Sequence, residues 1–122
     1  MVPKILVVED EPLIRFALVL HLEGHGFHVI EAENGEVGIS CLLDTADIAM
    51  VFTDICMPGS VDGVKLARWM QEHRPNVPFL ITSGEMGAHR ELKATFQQQF
   101  IEKPYTLESV TDRILAMLSV PS

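Results

Sequence analysis

Four short groups in this 122-residue chain carry side chains able to do chemistry: Glu9-Asp10, Asp54, Thr82-Ser83 and Glu102-Lys103-Pro104. Each closes a run of apolar residues. If those runs are neighbouring parallel strands, carboxylates, a hydroxyl and an ammonium converge at one edge of a sheet, where such sheets place their ligand chemistry. Like charges at close range cannot all stay ionised without raised pKa values or a neutralising cation. A divalent metal is the economical answer. Oxygen ligands without His or paired Cys favour Mg²⁺ or Mn²⁺ over zinc, and Mg²⁺ commonly combines one or two carboxylates with phosphate oxygens and water.

The elements that must position these groups are legible as two alternating patterns. Residues 4–8, 48–53 and 77–82 are short, β-branched-rich runs, as expected for central parallel strands covered on both faces. Residues 27–32 and 99–102 are more mixed and read as strands nearer the sheet edge. Between them, Pro12 opens a helix carrying Ile14, Ala17, Leu18 and His21 until Gly24 and Gly26 stop it. Asn34-Gly35 opens a second helix with Val37, Ile39, Cys41 and Leu42, and Val64, Leu66, Ala67, Trp69 and Met70 support a third. Residues 86–97, with Gly87 and few large apolar side chains, form the weakest helical stretch. Thr106 is the expected N-cap of the last helix, whose buried stripe is Leu107, Val110, Ile114, Met117 and Leu118. Strand and helix alternate throughout, which implies right-handed crossovers and a parallel sheet with helices on both faces.

Composition narrows the function. A chain of 122 residues with 48% hydrophobic content suits one domain spanning 1–122 and leaves no room for an output domain before Pro121-Ser122. Its formal charge of −8 repels nucleic acid and anionic lipid alike. Cys41 and Cys56 have no metal-finger spacing, no apolar run reaches membrane length, and a reducing cytoplasm is the natural setting. A flavin phosphate would need a donor-rich loop after the first strand, yet Glu9-Asp10-Glu11-Pro12 stands there.

Taken together, Ile5-Leu6-Val7-Val8-Glu9-Asp10-Glu11, Thr53-Asp54-Ile55-Cys56-Met57-Pro58 with Asp62-Gly63, Leu80-Ile81-Thr82-Ser83-Gly84 and Lys103-Pro104-Tyr105 resemble the receiver domain of bacterial response regulators. The resemblance implies a flavodoxin-like (CheY-like) three-layer sandwich, a five-stranded parallel sheet of order 2-1-3-4-5 with five helices. It implies that Asp54 accepts a phosphoryl group from a phosphohistidine on a sensor histidine kinase or histidine phosphotransfer protein. Mg²⁺ would be held by Asp10, Asp54 and the Cys56 backbone carbonyl, with Glu9 acting through water. Lys103 would balance the phosphoryl charge, Ser83 would hydrogen-bond a phosphoryl oxygen, and Phe100 would be the aromatic that follows. Pro104 would follow a cis peptide bond. The domain would act as a regulatory phosphoacceptor rather than an enzyme. Its output would be the surface of its last two strands and helices, offered to a downstream protein or a phosphorylation-dependent dimer.

Rival readings remain on the same residues. A phosphorylation-independent interaction module could keep the fold, and a Mg²⁺-dependent aspartyl-phosphate hydrolase would want an acid two residues after Asp54, where Cys56 stands. Thr82 competes with Ser83 for the hydroxyl role, and strand alternation is expected to point Thr82 elsewhere. Trp69 is expected in the core and Tyr105 at the surface. Gly59-Ser60-Val61 lengthens the loop after Pro58, and the stretch from Ser83 to Lys103 is shorter than the common receiver form.

Overall fold

The structure is a computed structural model that describes residues 2–83 and 96–119. Five parallel strands, β1 (Lys4–Val8), β2 (His28–Ala32), β3 (Ile48–Asp54), β4 (Phe79–Ser83) and β5 (Phe100–Glu102), form one sheet of order β2-β1-β3-β4-β5. Four helices accompany them among the described residues: α1 (Pro12–Gly24), α2 (Gly35–Asp44), α3 (Gly63–His73) and α4 (Leu107–Ser119). Five helices were expected. The one read over 86–97 lies outside the described residues except at its end, where Phe96 leads into a 3₁₀ turn, Gln97–Gln99.

Period-two alternation divides the core into two layers. Leu6, Val8, Val51 and Ile81 face Leu42 of α2 and Leu66 and Met70 of α3, whereas Ile5, Val7, Phe52 and Leu80 face Leu18 and Leu22 of α1 and Val110 and Ile114 of α4. The central strands are buried on both sides, which is why they read as continuous apolar runs.

The helix starts follow from local chemistry. Asn34 accepts a hydrogen bond from the Val37 N–H at 2.8 Å, and Asp62 accepts one from the Lys65 N–H at 2.9 Å. Thr106 and Ser109 cap each other reciprocally at the start of α4, with the Ser109 N–H donating to Thr106 Oγ1 at 3.0 Å. Trp69 packs against the α2/α3 layer of the core, as expected, but only at its margin. It is half-buried at the end of α3, stacked on His73 at 4.5 Å with the Arg74 guanidinium over its ring. The longer loop after Pro58 is tied down by α2: Glu36 Oε1 accepts the Val61 N–H at 2.9 Å, and Gly59, at φ +98°, passes where a Cβ would strike that carboxylate.

Candidate functional site

The acidic groups meet where β1 and β3 end side by side, Val8 paired with Thr53. Ligand oxygens of Glu9, Asp10 and Asp54 lie within 4.8 Å of one another. The start of α3 sits closely on the end of β3 because Gly63 has no side chain: a Cβ there would stand 2.2 Å from the Asp54 carbonyl oxygen. Asp54 is almost fully buried, and its two carboxylate oxygens have different partners. Oδ2 pairs with Lys103 Nζ at 2.7 Å, and Oδ1 accepts the Cys56 N–H at 3.1 Å. Lys103 arrives from β5, where its N–H donates to the Ser83 carbonyl and the Lys103–Pro104 peptide bond is cis.

Electrostatics at this edge are unbalanced. Glu9 is 1% exposed, and burial first of all pushes its carboxyl up to about 7. The Glu11 N–H, donating to Oε2 at 3.1 Å, opposes that rise, while the Asp54 charge and a hydrogen bond with Asp10 add to it. The other oxygen, Glu9 Oε1, is buried without a hydrogen-bond partner among the described residues. For Lys103, burial disfavours the charge, but the hydrogen bond and charge of Asp54 outweigh it and hold the ammonium above its ordinary value. One lysine therefore faces three acids. An orphaned carboxylate oxygen and clustered hard oxygens suit a divalent cation.

Both candidate hydroxyls are buried at the end of β4. Thr82 is the cross-strand partner of Asp54. By alternation Thr82 shares the α1/α4 face with Leu80, while Ser83 lies on the opposite face with Ile81 and Phe100, so alternation does not send Thr82 away from Asp54. Thr82 Oγ1 has no partner among the described residues. Phe100 is buried in the α2/α3 layer. Cys56 is exposed at the rim.

Two residues escaped the sequence reading. Tyr105, expected at the surface, is half-buried with its ring edge on Phe52 at 5.9 Å and its hydroxyl buried without a partner among the described residues. Burial, then the charges of Glu9 and Asp54, push its phenol up to about 12. The order of Lys103, Pro104 and Tyr105 gave no sign of this, because Phe52, against which the ring packs, is remote in sequence. Arg15 was likewise silent as a lone helical cation, yet its Nη1 donates to the Glu9 carbonyl at 2.7 Å.

Beside Lys103 an open apolar groove of about 590 Å³ runs between α1 and the start of α4, lined by Leu13, Ile14, Ala17, Pro104, Tyr105 and Leu107.

Residues 5–115 match the sequence profile of the response regulator receiver domain. The chain belongs to that family. Among curated relatives, the receiver is 33% identical over 116 residues to the transcriptional regulatory protein ResD of Bacillus subtilis, covering 94% of this chain and 48% of that one. It is 30% identical over 117 residues to the sensor kinase CckA of Brucella abortus, covering 93% of this chain and 12% of the kinase. The receiver thus spans about half of one relative and a small part of the other. The response regulator TrrA of Thermotoga maritima, solved in complex with Mg(2+)-BeF, shares the fold with a TM-score of 0.83 at 23% identity, over 94% of this chain and 98% of that one. No helix among the described residues is long and apolar enough to cross a membrane.

Proposed function

We propose that this receiver accepts a phosphoryl group on Asp54 from a phosphohistidine of a sensor histidine kinase or histidine phosphotransfer protein in the cytoplasm. The observation that carries the reading is the buried Asp54 carboxylate, held at 2.7 Å by Lys103 and flanked by Glu9 and Asp10. A carboxylate oxygen of Asp54 attacks phosphorus, the P–N bond breaks, and its electron pair returns to the imidazole nitrogen. Asp10, Asp54 and the Cys56 carbonyl would hold Mg²⁺, with Glu9 reaching it through water, as the orphaned Glu9 oxygen favours. When bound, the ion supplies positive charge that offsets the acids and the incoming phosphoryl oxygens. Lys103 exchanges part of its bond to Asp54 for one to a phosphoryl oxygen. Ser83 donates its hydroxyl to another, and Phe100, the cross-strand neighbour of Ile81 on the adjoining strand, follows that movement into the surface of the last strands and helices. The exposed Cys56 rim leaves the donor a way in.

Intact mass after incubation with acetyl phosphate and Mg²⁺ tests this reading. A single phosphoryl adduct is expected, absent with chelator and absent in Asp54→Asn. No adduct, together with no chemical-shift change on adding beryllofluoride and Mg²⁺, would leave a phosphorylation-independent interaction module as the better reading.

A further inference from the structure

The acidic pair must be held in place against its own repulsion, and one side chain outside the acidic cluster does so. Arg15 lies in the second turn of α1, pointing back toward the end of β1. Its Nη1 donates to the Glu9 backbone carbonyl at 2.7 Å, and its Nε donates to Glu31 Oε1 on β2 at 3.1 Å. The Arg15 side chain is only 19% exposed, and its guanidinium spans two adjacent strands with two donors in a fixed fork. The carbonyl it grips belongs to the peptide unit that leads into Asp10. On the other side of that unit, the Glu9 N–H donates to the Ala32 carbonyl, and the Glu11 N–H returns to the Glu9 carboxylate. Arg15 thus completes the fixing of a three-residue turn that presents Asp10 outward.

We infer that Arg15 is a positioning residue for the cation site, fixing the Glu9–Asp10 peptide so that Asp10 and Asp54 present their oxygens together. The inference rests on the proposed Mg²⁺ site. Charge and geometry make opposite predictions here, which lets an experiment separate them. A guanidinium near the acids repels a second cation, so a purely electrostatic role means that removing it tightens Mg²⁺ binding. A positioning role means that removing it loosens binding, and that a lysine, which keeps the charge but loses the fork, does not restore it.

The test measures Mg²⁺ affinity by calorimetry for wild type, Arg15→Gln, Arg15→Lys and Glu31→Gln, with amide shifts of Glu9, Asp10 and Glu11 recorded in the metal-free proteins. Arg15→Gln and Arg15→Lys are both expected to raise the Mg²⁺ Kd by roughly 5- to 10-fold and to move the three amide signals. Glu31→Gln, which keeps the grip on the Glu9 carbonyl, is expected to change Kd less than about twofold. Tighter or unchanged binding in Arg15→Gln, or full retention in Arg15→Lys, would overturn the inference. If both arginine variants are too unstable to assay, the amide shifts of Glu31→Gln decide: movement confined to Glu31 and Arg15 upholds the grip on Glu9, and a collapse of the Glu9–Glu11 signals overturns it. Wild-type protein that binds no Mg²⁺ would instead remove the reading on which the inference stands.

Discussion

At the scale of single residues, the site is defined by side chains whose neighbours change their ordinary chemistry, and Tyr105 offers the cleanest readout because it is the chain's single tyrosine. Burial, followed by the Glu9 and Asp54 charges, raises its phenol to about 12. The neutral form is therefore favoured by folding. An unfolded tyrosine ionises near 10, so between about 10 and 12 the folded chain holds the proton that the unfolded chain has lost. The stability that this proton linkage supplies is complete below about 10 and is lost as pH rises through 12. Tyrosinate absorbance in the near ultraviolet should show a midpoint near 12 for the folded protein, or coincide with alkaline unfolding, and move to about 10 in denaturant. Glu9→Gln should lower the native midpoint by removing one of the raising charges. A native midpoint at 10 would contradict the buried position of the hydroxyl. Asp54, Lys103 and the Glu9-Asp10 pair were legible in the sequence because charged groups closing apolar strands are conspicuous there. Arg15 and Tyr105 were not, since the partners of each, Glu9 and Glu31 for Arg15 and Phe52 for Tyr105, are brought near only by the fold.

At the scale of elements, β3 and α3 meet through a glycine, and the cost of a methyl group there can be argued directly. The Gly63 N–H donates to the Ile55 carbonyl at 3.0 Å, and an added Cβ would lie 2.2 Å from the Asp54 carbonyl oxygen and 2.7 Å from the Ile55 Cα. All of these are backbone atoms, so no side chain can swing aside. Gly63→Ala should lower stability by about 3 kcal/mol and weaken Mg²⁺ binding, because α3 must withdraw from the Asp54 strand end. Gly24→Ala, with nothing within 4 Å of the new methyl, should leave both unchanged or slightly improved. Urea unfolding midpoints of the two variants check the contrast, and equal midpoints would refute it. The same distinction between local and remote causes sets what the sequence could show of the fold. The central strands announce themselves through β-branched runs, Pro12 marks a helix start through its fixed φ, and Asn34 and Thr106 mark theirs through local bonds. Edges are set elsewhere. Phe27 falls outside β2 because its N–H turns back to the Leu22 carbonyl, and Gln99 falls outside β5 because its N–H closes the 3₁₀ turn on Phe96.

At the scale of the whole molecule, charge and shape bear on the proposed approach of a phosphohistidine to Asp54. The net charge of −8 favours a partner with a neutral or basic rim, and it also makes the approach sensitive to salt. For the proposed phosphohistidine donor, the groove beside Lys103 would offer apolar contact, and α1 exposes Leu13, Phe16 and Leu20 along the same helix. On the proposed reading a small phosphodonor would need none of this surface and would enter past the exposed Cys56 rim. Leu13 is 77% exposed, lines the groove and is no member of the Glu9–Asp10–Asp54 cluster, so its replacement separates docking from chemistry. Leu13→Glu removes apolar contact and adds one more negative charge at the seat. It should slow phosphoryl transfer from a histidine-phosphorylated partner by roughly tenfold, equivalent to about 1.4 kcal/mol of docking energy, while labelling by acetyl phosphate stays at the wild-type rate. Stopped reactions resolved by intact mass would measure both rates. Equal slowing with the two donors would place the effect in the site's chemistry, and no slowing with either would mean that the partner approaches Asp54 from another side of the sheet.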